Sequence, residues 1–198
     1  TIDHRPSTID HRPSTIDHPM TARTRCLILA VTLILLVGCD QASKDYAVDH
    51  LQQTTDDPLP FLGQTFLIKF AWNEGAFLSL FANLSDKARF VLLVLMNGLI
   101  LGGLALALVL RTGWDKWSFT ALALLLAGGI GNLIDRIWLG AVIDFMVIDL
   151  SGLTGIGWLK TGVFNVADIA ITTGFLMLLP RLFGKEPPAP ETTAEAAA

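Results

Sequence analysis

Residues Trp117 to Arg136 read WSFTALALLLAGGIGNLIDR, and the reading of this stretch decides the fold. From Trp117 to Ile134 it holds no charged side chain, and its length is close to the roughly 20 apolar residues that carry a helix across a bilayer. Gly128, Gly129 and Gly131 allow a neighbouring helix to approach closely. Asn132, Asp135 and Arg136, at i, i+3 and i+4, then gather on one face as the helix leaves the apolar layer. Taken alone, that polar face is expected to anchor the helix end.

Outward from this segment lie three more of the same kind, at Cys26 to Asp40, Phe90 to Leu110 and Val163 to Leu179. The first continues through Gln41, Ala42 and Ser43 to Lys44, whose long side chain is expected to snorkel toward the headgroups. The whole composition agrees with a membrane protein. Of 198 residues, 52% are apolar and 16% charged, with a mean hydropathy of +0.55, more apolar surface than one small soluble core uses. The net charge of −4 is thinly spread, which argues against gripping a nucleic-acid backbone. Cys26 and Cys39 share one apolar run and build neither a disulfide framework nor a zinc site.

Four spans put both termini on one side and leave Asp45 to Arg89 and Asp135 to Gly162 on the other. Arg23, Arg25, Arg111, Lys116, Arg181 and Lys185 on the terminal side are matched in number by Lys44, Lys69, Lys87, Arg89, Arg136 and Lys160. The density of charge beside the first span and in the short turn Arg111 to Lys116 nevertheless favours cytoplasmic termini. Trp114 and Trp117 suit one interface, and Trp72, Trp138 and Trp158 the other. Pro58 to Trp72, PLPFLGQTFLIKFAW, has strand-like content and a Gly able to turn a hairpin, which predicts a small extramembrane sheet.

Both ends of the chain read differently. TIDHRPS occurs at Thr1 to Ser7 and again at Thr8 to Ser14, and a third copy starts at Thr15. Residues 1–19 are expected to be an expression leader, with the natural protein starting at Met20 and running as one membrane domain over 20–184. Within that domain the extramembrane sheet and loop occupy about 45–88, and residues 185–198, rich in Pro, Ala, Glu and Thr, are expected to be a disordered tail. Without the leader only His50 remains, in a polar stretch read as a loop (Asp49 to Asp57). A histidine-based triad or metal site is therefore disfavoured, and no metal or other cofactor is expected.

Polar residues at or within apolar spans are costly and mark function by default. Asp40, Gln41, Ser43 and Lys44 end the first span, with Asp40 and Lys44 in the favourable i, i+4 order. Asn73 to Ser79 follows the expected sheet. Asp144 lies in AVIDFMVI, Ala141 to Ile148, where desolvation should raise its pKa. Asp168 falls in the first turn or two of the fourth span. A loop carrying Gly152, Gly155, Gly157 and Gly162 joins the two acids and could bring them together. Two such carboxyls share a proton, leaving one as general base for water and the other as general acid. Asn165, three residues before Asp168, could orient that acid or stabilise an oxyanion. The plainer alternative is that the two acids merely cap a helix or pair with Arg136 and Lys160.

In order, DQASK at Asp40 to Lys44, NEGAFLS at Asn73 to Ser79, GNLIDR at Gly131 to Arg136, VIDF at Val142 to Phe145 and FNVADIAI at Phe164 to Ile171 closely resemble the five blocks of the lipoprotein signal peptidase (signal peptidase II) family. The resemblance implies a mainly α, bacterial inner-membrane aspartic peptidase of four transmembrane helices with a small periplasmic β-sheet and a periplasmic active site. It implies cleavage of prolipoproteins just before the diacylglyceryl-modified cysteine, with Asp144 and Asp168 as the catalytic pair. Asp40, Lys44, Asn73, Gly75, Asn132, Arg136 and Asn165 are implied as supporting or substrate-binding residues. Membrane lipid and globomycin-type inhibitors are the other implied partners, and the chain is expected to act as a monomer.

Three other readings stay open on the residues. Leu36, Val37, Gly38 and Cys39 look like a lipobox after Arg23 and Arg25, which would make the chain a lipid-anchored protein and itself a substrate. Intramembrane Asp residues also suit a small transporter. A Ser43–Lys44 mechanism is weaker, because adjacent residues on a helix point about 100° apart.

Overall fold

In the computed structural model, which describes residues 20–53, 58–75 and 85–183, the segment read first is the central helix α3 (Lys116–Leu139). Around it pack α1 (Ala22–Leu51), α2 (Asp86–Leu110) and α5 (Val166–Phe183). The leader, residues 76–79 of the NEGAFLS block and the expected tail lie outside the described residues. Among the described residues three helices, Ala22–Leu51, Phe90–Leu110 within α2, and α3, are long and apolar enough to cross a membrane. The fourth expected span falls on α5.

Small residues explain why α3 is central. Ala121, Ala123, Ala127, Gly128 and Gly131 are buried along it, and a Cβ placed on Gly128 would collide with the carbonyl oxygen of Ala167 on α5. Higher up, Phe119 and Leu126 of α3 pack with Leu108 of α2 and with Met20, flanked by Ile28, Leu29 and Leu33 of α1. The opposite faces of α1 and α2 leave Leu27, Ile34, Leu99 and Leu110 exposed, as helices do when hydrocarbon covers them.

α1 departs from its expected end. It continues as helix to Leu51, so Asp49 and His50 sit in its last turns, where the His50 ring stacks on Tyr46 with centroids 4.1 Å apart. Asp49 to Leu51 is thus helix rather than loop, because nothing between Lys44 and Leu51 breaks the backbone ladder.

The hairpin of β1 (Leu59–Leu62) and β2 (Phe66–Asn73) forms as expected, and Gly63 in its turn takes φ +65°. A third strand, β3 (Val142–Ile148), pairs antiparallel with β2 and completes the order β1-β2-β3. Its register sets Asn73 opposite Val142 and Ala71 opposite Asp144. Beyond β3 the chain makes the short helix α4 (Ser151–Thr154) and returns. The return is stitched down by Leu150 N to Leu159 O at 2.9 Å and Thr161 N to Ile148 O at 2.9 Å. Phe164 then exchanges two 2.8 Å backbone bonds with Met146. That bridge fixes where α5 starts relative to β3.

Candidate active site

The site is assembled where α1 ends its apolar stretch, α3 ends, β3 begins and α5 starts. Asp40 and Lys44, one turn apart on α1, are each 1% exposed and pair at 2.7 Å. The Lys44 ammonium also reaches Asp135 Oδ2 at 2.9 Å and donates to Asn132 Oδ1 at 3.1 Å. Lys44 therefore does not snorkel. Two carboxylates and an amide hold it inside, and a buried ion pair keeps its charge only with such multiple partners.

Asp40 uses its other oxygen on α5, accepting from the backbone N–H of Ala167 at 2.8 Å. A carboxylate suits that place, because the first-turn N–H groups of a helix have no internal acceptor. Gly131 makes room for it: a Cβ there would come within 2.6 Å of Asp40 Oδ2. Asp135 couples the same cluster to the sheet. Its Oδ1 accepts from Gln41 Nε2 at 3.0 Å, and its Oδ2 accepts from Ile143 N at 3.1 Å, one residue before Asp144.

Asn165 joins the two candidate acids. Its Nδ2 donates to Asp144 Oδ1 at 2.7 Å, to Asn132 Oδ1 at 3.0 Å and to Ile143 O at 3.1 Å. Its Oδ1 accepts from Asp168 N at 3.0 Å, while its own N–H donates to Asp168 Oδ2 at 3.3 Å. The last two contacts have the reciprocal form of a capping box, here with Asn and Asp in place of Ser and Glu. Asn132 Nδ2 donates to Asp168 Oδ1 at 2.8 Å, and Asn73 Nδ2 donates to Asp144 Oδ2 at 3.0 Å. Each acid thus has both oxygens held.

Asp144 is 2% exposed. Burial pushes its carboxyl up from 3.8 to about 6, and the Asp168 charge pushes the same way, against the hydrogen bonds from Asn73 and Asn165 and the charge of Lys44. Arg136 donates to Asn132 O at 3.2 Å and stands within electrostatic reach of Asp144, Asp168 and Asp135. Gly75, at φ +93°, donates its N–H to Asn73 Oδ1 at 3.0 Å and so sets that amide. An apolar groove of about 480 Å³ has Asp168 in its lining, with Ile148, Phe164, Ile169 and Thr172 among its other walls.

All nine residues singled out from the sequence fall in or beside this network. The alternative pairing partner does not: Lys160 meets Asp149 at 3.6 Å. Asn165 has its amide N–H groups engaged with Asp144, Asn132 and Ile143, an arrangement that suits orienting an acid. Ser43 donates to Asp40 O at 2.8 Å, and Lys44 is spent on carboxylates, which leaves no Ser–Lys couple. Asp135 and Gln41 are not among those nine, although they bridge three elements. Their signal is present in the sequence, Asp135 at i+3 from Asn132 and Gln41 beside Asp40, but only the fold reveals that they bond each other.

A family model described as signal peptidase (SPase) II matches residues 32–183. The lipoprotein signal peptidase of Streptococcus pyogenes serotype M1 is 33% identical over 159 residues, covering 80% of this chain and 95% of that protein. Its serotype M2 counterpart is 32% identical with the same coverage. A solved bacterial membrane enzyme superposes with a TM-score of 0.67 at 23% identity, covering 86% of this chain and 99% of the other.

Proposed function

Because the chain belongs to the signal peptidase II family, it is a protease that removes signal peptides from prolipoproteins, and we propose that Asp144 and Asp168 are its catalytic pair. One observation carries this reading: the single buried amide of Asn165 holds Asp144 through its Nδ2 and Asp168 through its Oδ1 and backbone N–H. Of the pair, Asp144, whose carboxyl is raised to about 6, is taken as the acid that carries the shared proton. The ionised acid takes a proton from water as the water oxygen bonds to the scissile carbonyl carbon. The protonated acid then gives its proton to the departing amine as the C–N bond breaks, and the two acids exchange roles for the next turnover.

The scissile bond precedes a diacylglyceryl cysteine in this reading, and the apolar groove that Asp168 helps to line suits a lipidated residue. Asp40, Lys44, Asn132 and Arg136 hold the pair in place, while Asn73 and Gly75 set it from the side of the sheet. The helix α5 serves as the fourth span, and the domain lies in the inner membrane as a monomer with cytoplasmic termini and a periplasmic acid pair. Globomycin-type compounds inhibit by occupying the same site. Family membership favours this protease over the transporter and the lipid-anchored alternatives.

The deciding experiment is cleavage of a diacylglyceryl prolipoprotein in detergent by Asp144→Asn and Asp168→Asn. Each substitution is expected to lower the rate by at least about 10²–10⁴-fold, the share a general acid or base supplies, with the protein still folded. Normal turnover by either variant removes that residue from the pair.

A further inference from the structure

The end of the bundle opposite the acid pair, where α1 and α3 begin and α2 and α5 end, gathers Arg23, Arg25, Arg111, Lys116 and Arg181. Among the described residues at that end Asp115 is the one acid, and it is already engaged. It caps α3 by accepting from Ser118 N at 3.0 Å and pairs with Arg181 at 2.8 Å. Arg25, half-buried in the first turn of α1, sends one N–H to the backbone carbonyl of Arg111, the C-cap of α2. Its Nε is buried and has no hydrogen-bond partner among the described residues. Arg111 lays its guanidinium over the Trp114 ring, 4.7 Å from the centroid, and Trp114 in turn donates to Ala107 O at 3.4 Å.

Two guanidinium groups thus belong to one corner, Arg111 and the Arg25 that bonds its carbonyl, and among the described residues neither is paired with a carboxylate. A buried charged donor left unpaired is costly. A phosphate oxygen supplies what is missing, since guanidinium forks match phosphate geometry. Directly before Arg111, the exposed Leu106, Val109 and Leu110 form an apolar strip along α2. That strip favours a phosphate that arrives with acyl chains attached over a free one. We infer that Arg25 and Arg111, with Trp114 as an aromatic shelf, form a binding site for the phosphate of an anionic phospholipid headgroup. Basic pockets between helix ends at a membrane surface are the usual form of such sites.

The test uses the full chain in phosphatidylcholine bilayers with and without phosphatidylglycerol, followed by native mass spectrometry of retained lipid and by thermal melting. Phosphatidylglycerol is expected to be retained and to raise the Tm. Arg111→Gln should weaken retention roughly fivefold and erase most of the Tm gain, whereas Lys116→Gln should leave both unchanged. Arg25→Gln should match Arg111→Gln, but it also removes a contact to the α2 cap, so the Arg111 variant is the decisive one. Prolipoprotein cleavage by Arg111→Gln in detergent should equal that of the unaltered protein. Equal losses in the Arg111 and Lys116 variants would mean diffuse attraction and overturn the site. A Tm gain from inorganic phosphate in detergent as large as that from phosphatidylglycerol would overturn the lipid as its ligand.

Discussion

Asn165 shows how much one neutral side chain can organise. Fully buried, it caps a helix, joins two carboxyls and ties both to Asn132, and no charged residue could do all three without adding to the charge it has to settle. Asp144 carries the consequence for pH. Its carboxyl sits at about 6 rather than 3.8, chiefly because it is buried. An acid with a raised folded value binds its proton more tightly folded than unfolded. It therefore adds stability below about pH 4, and that stability is lost as pH rises through about 6. The Tm of the purified protein is expected to show a falling leg in that window, and Asp144→Asn is expected to lack it. Parallel melting curves for the two proteins across the window would mean that Asp144 holds no extra proton when folded. At this scale the sequence is informative. The flanks AVI and FMVI forecast a desolvated acid, whereas the burial of Lys44 is not legible, because its partner Asp135 lies on another helix.

Among the elements, the contact of α3 with α5 sets the position of Asp168. Gly128 faces Ala167 O and Gly174 faces Ala121 O, each closer than any Cβ tolerates. Both obstacles are backbone atoms and cannot turn aside. Gly128→Ala is expected to cost about 1–3 kcal/mol and to lower the cleavage rate, since Ala167 lies between Asn165 and Asp168. Gly102→Ala on α2 meets nothing within 4 Å and is expected to be neutral or stabilising by about 0.5–1 kcal/mol. Melting in detergent compares them, and similar Tm values for the two would refute the packing argument. The helices and the hairpin are legible because their signals are local: an apolar run, a turn glycine. β3 is not, because its partner β2 lies some seventy residues upstream in the chain and the run VIDFMVI reads equally well as a buried edge of a span.

For the whole molecule, the even split of basic residues leaves orientation to local charge density, and the acid pair and the Arg25–Arg111 pair mark opposite ends. Topology is open to direct measurement in a chain whose Cys26 and Cys39 are replaced by Ala. Trp158→Cys, at a site 80% exposed in the return from β3, is expected to react with a membrane-impermeant maleimide on intact spheroplasts. Lys116→Cys should react only after the membrane is opened. The reverse pattern would invert the proposed orientation. The bond from Ala167 N to Asp40 Oδ1 joins residues 127 positions apart, tying α1 to α5. A chain still leaving the ribosome, with its earlier helices already inserted, has neither Asp168 nor the clamp that seats it. On the proposed assignment of the acid pair, cleavage therefore begins only once α5 has joined α1 and brought Asp168 to its seat.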